Sequence, residues 1–208
     1  GHLKTMGFTL NPYDPCVANR TVNGEQQTVC WHVDDLKVSH VDPKVNTQFA
    51  EDIVAIYGDK VTVNRGPIHD YLGMDFDFSI DKSVKISMIK YLNKIFESFP
   101  EEIGKPCENP AADWLFKTRD DCRKLPEEQA QAFHHTVAQL LFVGMRARPD
   151  IQVPVSFLTK RVREPDEDDW GKLKRTLRYL KGTRHMKLTL TIDNLSTICW
   201  WVDASYGC

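Results

Sequence analysis

The sequence has no apolar run approaching the roughly 20 residues that a bilayer-spanning helix needs, so it is not expected to cross a membrane. Residues 1–20 show no basic start followed by an apolar stretch, which excludes a secretory leader in that segment. The six cysteines (Cys16, Cys30, Cys107, Cys122, Cys199 and Cys208) nowhere adopt a Cys-x-x-Cys spacing, so a zinc cluster has no framework. In a chain of this length, able to build an apolar core, scattered cysteines argue for reduced thiols and an intracellular setting. There is no internal repeat and no low-complexity tract, which excludes a solenoid. Charge of one sign is also lacking: the formal net charge is -2, which excludes a chain basic throughout. An initiator methionine is absent too. The chain opens on Gly1 and stops at Cys208 after a strand-like run, and it is expected to be a segment of a longer polypeptide.

What is present is an ordinary globular composition, 41% apolar and 27% charged, over 208 residues, enough for one or two domains. Residues 28–33 alternate and are rich in strand formers, Asp34 and Asp35 form a two-residue turn, and 36–41 is a second strand, predicting a β-hairpin. Asp42 and Pro43 then open a helix as N-cap and first helical residue; Val45, Phe49, Ile53 and Ile56 recur on one face, and Gly58 closes it. Strands are expected over 61–64 and 69–88, with a turn at 81–83. A helix follows over 89–98 with Leu92, Ile95, Phe96 and Phe99 on one side. Residues 100–125 hold Pro100, Pro106 and Pro110 and predict a loose linker. Further helices are expected from Pro126 with Phe133, Val137, Leu140 and Leu141 packed, over 150–163 provided Pro154 lies in the first turn, and over 166–181. Residues 186–192 and 197–202 alternate like a strand pair, in which one ring of Trp200 and Trp201 faces a core.

Two features carry candidate chemistry. Adjacent carboxylates at a hairpin turn are, taken alone, more often a plain turn, because Asp caps local backbone donors. They are also hard oxygen ligands of the kind magnesium takes together with substrate phosphates. Successive side chains of an extended segment point in opposite directions, so one of the pair would ligate and the other support. The second feature is charge asymmetry: acids at 166–169 are followed over 170–187 by seven Lys or Arg and no acid. That suits a helix with an acidic first turn, its stripe of Leu173, Leu177 and Leu180 buried and its cations solvated or free to neutralise phosphates. The cations on the predicted helix are Lys172, Lys174, Arg175, Arg178 and Lys181.

The string Trp-His-Val-Asp-Asp-Leu at 31–36 resembles the Tyr-Val-Asp-Asp turn of reverse transcriptases, with His32 in the place of the usual Tyr. Gly7 and Phe8, then Tyr-Asp-Pro-Cys at 13–16, are similar to the segment preceding that turn in copia-type retrotransposons. The order continues with Tyr-Leu-Gly-Met at 71–74, Lys-Tyr-Leu at 90–92 and Arg-Pro-Asp-Ile at 148–151. It ends with the ten residues 174–183 and Val-Asp-Ala-Ser at 202–205. No single piece is specific, but the ordered set is, and it promotes the Asp pair from a plain turn to a candidate metal site.

The resemblance, to the copia-type reverse transcriptase, implies an α+β fold. It comprises a partial palm over 1–88, a helical thumb and connection over 89–185 and the start of a ribonuclease H-like domain over 186–208. It implies that Asp34 ligates catalytic Mg2+ (or Mn2+), that Asp35 supports it, and that Tyr71, Leu72, Gly73 and Met74 belong to a primer grip. Core packing is the competing role for Tyr71 and Met74. Asp203 matches the first metal-binding carboxylate of ribonuclease H. Expected partners are a template-primer, deoxynucleoside triphosphates and the rest of a Pol polyprotein, in a cytoplasmic virus-like particle with a nuclear phase. The two-metal reaction needs a further carboxylate upstream, so the chain alone is expected to polymerise nothing. Two alternatives stay open: a non-catalytic nucleic-acid-binding remnant, and a nuclease centred on Asp203.

Overall fold

The computed structural model describes residues 2–119, 121–194, 197, 199, 200, 202 and 203. The fold is mixed α and β, and it divides into two compact units between Leu72 and Gly73.

The first unit runs through α1 (His2–Thr5), β1 (Thr9–Leu10), β2 (Val17–Val22), β3 (Glu25–His32), β4 (Asp35–Ser39), α2 (Pro43–Tyr57) and β5 (Ile68–Tyr71). Strands β1 to β4 form an antiparallel sheet in sequence order. The β2–β3 hairpin turns on Asn23 (φ 54°) and Gly24 (φ 84°), a pair that tolerates the left-handed backbone matching strand twist. Alternation then sorts the sheet. Val29, Trp31 and Val38 join Phe8, Ala18, Phe49 and Ile53 in one core, whereas Cys30, His32, Asp35 and Lys37 take the other face. Helix α2 forms as its sequence dictates: the Asp42 carboxylate accepts from the Lys44 amide at 2.8 Å and Pro43 opens the helix. Burying its Val45, Phe49 and Ile53 contributes about 1.5–3 kcal/mol each. Gln27 is fully buried in this core, yet it accepts from Arg20 Nε at 2.7 Å and donates to Asn46 at 3.2 Å, so its amide is satisfied. The strand expected over 61–64 does not form. Val61 packs on the core, but Val63 is exposed, and no neighbouring strand of the sheet offers the segment a ladder.

The second unit holds β6 (Met74–Asp77), β7 (Ser83–Ser87), α3 (Ile89–Ser98), α4 (Glu127–Arg146), α5 (Gln152–Thr159), α6 (Glu167–Gly182) and β8 (Leu188–Thr191). Strands β6, β7 and β8 are antiparallel neighbours, with Phe76 opposite Ile86 and Val84 opposite Leu190. The strand pair expected at 186–202 is thus replaced by pairing of β8 with β7. Residues 197, 199, 200 and 202 are in no strand, and 195, 196, 198 and Trp201 lie outside the described residues. Trp200 is exposed. Pro154 does fall in the first turn of α5, where its missing N–H costs nothing. The core is helical: Leu92 and Ile95 of α3, Phe133 and Leu140 of α4, Leu158 of α5, and Leu173, Leu177 and Leu180 of α6 are all buried.

The loose linker expected over 100–125 is instead strapped along α6. Its Ile103, Leu115 and Leu125 are buried, and its carbonyls accept hydrogen bonds from the helix. Thr176 Oγ1 donates to Pro110 at 3.1 Å and Arg178 Nε to Lys105 at 2.6 Å. A buried irregular segment must have its backbone polar groups satisfied, and α6 supplies the donors. The approach is close: a Cβ on Gly182 would lie 2.9 Å from the Pro106 Cβ. A second polar device fixes the helix ends. Arg148 donates to Asp150 at 2.7 and 2.9 Å, to the Thr183 carbonyl at 3.0 Å and to its hydroxyl at 2.7 Å. Tyr179 donates to the same Asp150 at 2.7 Å.

Candidate functional site

The β3–β4 hairpin carries the candidate carboxylates. Its last registered pair is His32 with Asp35, so the two turn residues are Val33 and Asp34, one position earlier than alternation alone predicts. Asp34 sits in the turn and Asp35 opens β4; both side chains are exposed, as is His32. Val33 has φ 52° and is 82% exposed. A β-branched residue in the left-handed region is strained, and here the strain lies between His32 and the first carboxylate.

The polar face of the hairpin is covered in part by β5. The Tyr71 side chain lies near Cys30, Asp35 and Cys16. Burial, reinforced by these groups, pushes the Tyr71 phenol up to about 12, so it remains a protonated donor. Two residues earlier on the same side, His69 is held below the ordinary imidazole range by burial and by the nearby Lys37. Lys37 is itself lowered by burial, with Cys30 opposing the shift. Cys30 and Lys37 are a registered cross-strand pair, and the Cys30 thiol lies 3.7 Å from the Lys37 carbonyl oxygen.

The structure therefore brings Tyr71 to Asp35, and adds Cys30, Lys37 and His69, which the sequence reading did not single out. Period-two counting from Asp35 and from Tyr71 is the signal that would have found them. Leu72 (φ 54°) and Gly73 (φ 74°) form the tight turn that follows β5, and Met74 is buried. Asp203 is exposed, and neither it nor Val202 is in a strand; its neighbours Trp201 and Ala204 lie outside the described residues.

As a metal site the hairpin is short of ligands. Two exposed carboxylates have the right hard-oxygen chemistry, but among the described residues no three of His, Cys, Asp or Glu gather. The described residues do not by themselves complete a cation site.

The cations of α6 differ in exposure: Lys172 is buried, Lys174, Arg175 and Arg178 are half-buried, and Lys181 is exposed. Lys172 is buried, paired with Asp168 at 2.8 Å, donating to the Lys117 carbonyl at 2.6 Å and lying over the Phe157 ring. Lys174 pairs with Glu101 at 2.7 Å, holding that carboxyl below its ordinary range. Arg178 and Lys181 donate to Lys105 and Gly104, and Arg175 is half-buried. The 100–125 segment thus gives partners to Lys172, Lys174, Arg178 and Lys181, and Lys172 alone of them is buried.

No protein-family model and no solved structure matches the chain. Several curated relatives do, among them the following three. A putative transposon Ty5-1 protein of Saccharomyces cerevisiae is 27% identical over 207 residues, 99% of this chain and 65% of that protein. The retrovirus-related Pol polyprotein from transposon TNT 1-94 of Nicotiana tabacum is 24% identical over 187 residues, 87% of this chain and 14% of that protein. The corresponding polyprotein from transposon RE2 of Arabidopsis thaliana is 26% identical over 140 residues, 67% of this chain and 9% of that protein. The chain thus spans less than two thirds of the length of each. No helix among the described residues is long and apolar enough to cross a membrane. The motifs in their order, and relatives matched across nearly the whole chain, make it a homologue of the Pol polyproteins of Ty5/copia-type retrotransposons.

Proposed function

We propose that this chain is part of the RNA-directed DNA polymerase of a retrotransposon Pol polyprotein, with the β3–β4 hairpin as one portion of its nucleotidyl-transfer centre. The observation that carries the reading is the hairpin itself. Asp34 and Asp35 stand exposed at its tip, with Tyr71 of the Tyr-Leu-Gly-Met motif near Asp35. In the longer polypeptide, Asp34 supplies oxygen donors and Asp35 supports them. Mg2+ or Mn2+, when bound with further carboxylates, supplies charge neutralisation for phosphoryl transfer. The remaining parts of the proposal are a template-primer and deoxynucleoside triphosphates as partners and assembly in a cytoplasmic particle.

The test is Asp34→Asn in the longer parent polypeptide, assayed by extension of a primed RNA template. Synthesis should fall by at least about a hundredfold, because a carboxylate at the reacting centre is replaced by a neutral amide. Undiminished synthesis would remove the catalytic role and leave the non-catalytic nucleic-acid-binding reading. The present chain alone is expected to incorporate nothing, and measured incorporation would show that the hairpin is a sufficient centre.

A further inference from the structure

In the second unit the outer side of α5 is apolar where a surface helix is ordinarily polar. Met145 (67% exposed) and Leu141 (38%) of α4, Val153 (59%) of α5 and Phe116 (67%) of the segment strapped over α6 stand around it. They wall two clefts. One of about 190 Å³ lies between α4 and α5, bounded by Leu141, Met145 and Val155. The other, of about 380 Å³, lies between α5 and Phe116, bounded by Val153, Phe157 and Lys160. Gln152 and Ser156, one helical turn apart, border both clefts and form the ridge between them.

These walls are set by the fold itself. Gly144 lets α5 approach α4, since a Cβ there would already meet Ile151 at 3.5 Å, and Gln152 Nε2 donates to the Gly144 carbonyl at 3.3 Å. Phe116 rests edge-on against Phe157, with ring centroids 5.8 Å apart. A ridge of this spacing fits the groove between two side-chain rows of an incoming helix, which then drops one row into each cleft. A second copy is a poorer fit. Each partner of a stable dimer buries roughly 800 Å². Four side chains of about 150–200 Å² at these exposures supply on the order of 400 Å², the size of a functional patch on a monomer. Charge then selects the helix: exposed Lys160 borders the second cleft, and no carboxylate lines either one. We propose that this face docks an amphipathic helix of a separate partner protein, with two apolar rows and a carboxylate at the end that lies over Lys160.

Fluorescence anisotropy on the 208-residue chain tests it, using a labelled synthetic helix of about 16 residues, long enough to hold its structure. The helix carries leucines at i, i+3, i+4 and i+7 and glutamates in its end turn; a twin carries lysines in place of the glutamates. The glutamate helix should bind about threefold or more tightly than the twin, as a rim ion pair allows, and Lys160→Glu should reverse that order. Met145→Glu and Val153→Asp, both at exposed positions, should leave far-UV circular dichroism unchanged and each weaken binding at least about tenfold. Should either apolar variant fail to fold, the charge reversal at Lys160 still decides. No binding by the glutamate helix, an order that Lys160→Glu does not reverse, or binding indifferent to Met145→Glu in a folded chain would each overturn the proposal. A dimer in sedimentation velocity that Met145→Glu dissociates would seat a second copy on the face instead. Binding to the 208-residue chain but not to the longer parent polypeptide would overturn it too, by showing that a segment of the same polypeptide covers the face.

Discussion

The Arg148 cluster offers the sharpest test of how the second unit is held together. Arg148 is 3% exposed at its side chain and Asp150 28%, and the guanidinium also serves the carbonyl and hydroxyl of Thr183 at the end of α6. Removing one partner of a buried pair costs about 3–5 kcal/mol, because the other charge is left unpaired. Water can reach part of Asp150, and the Tyr179 hydroxyl remains on it at 2.7 Å, which places Arg148→Met near the lower end, about 3 kcal/mol. With helices α3 to α6 all in this unit, far-UV circular dichroism reports its unfolding. The thermal midpoint should drop by about 10 °C and the urea midpoint by about 1.5 M. Arg148→Lys should recover less than half of the loss, since an ammonium cannot reproduce a fork that serves Asp150 and Thr183 at once. Lys174→Met is the control: its pair with Glu101 has side chains 31% and 40% exposed and should cost less than about 1 kcal/mol. A loss for Arg148→Met no greater than that of Lys174→Met would show the reasoning to be wrong.

Two further outcomes are expected. Asp150 has its carboxyl pushed up by burial, but hydrogen bonds from Arg148 and Tyr179 win and hold it below its ordinary value of 3.8. A depressed folded pKa gives stability that is complete above 3.8 and lost as pH falls through the folded value, so the gap in urea midpoint between wild type and Arg148→Met should narrow below about pH 4 and stay constant from pH 5 to 7; a constant gap down to about pH 2 would contradict this. Val33→Asn should raise the stability of the first unit by up to about 1 kcal/mol, since Asn tolerates the left-handed backbone that a β-branched residue resists. A lower midpoint in chemical denaturation would show that φ 52° is not strained for Val33.

Local chemistry wrote much of this fold legibly. Asp42 and Pro43 start α2, Asp166 and Asp169 build a capping box at α6, and Pro154 sits in the first turn of α5 because nearest-neighbour sterics and hydrogen bonds decide such features. The β2–β3 hairpin has a turn signal in Asn23 and Gly24, but its first strand, Val17–Val22, lacks an alternating one: only Val17, Ala18 and Val22 are apolar, and Gln27 opposite Arg20 hides a buried position behind a polar residue.

The sequence by itself determined the family, through ordered motifs, and the hairpin that carries Asp34 and Asp35. Tertiary structure alone decided three things. It shifted the turn to Val33 and Asp34, because register is fixed by which side chains the core accepts. It buried Lys172 and engaged the other α6 cations with carbonyls and a carboxylate of residues 100–125, far away in the chain. And it brought Tyr71 near Cys30 and Asp35, a meeting of residues about forty positions apart that no local pattern encodes, since strand alternation fixes which face a residue takes but not what lies across from it.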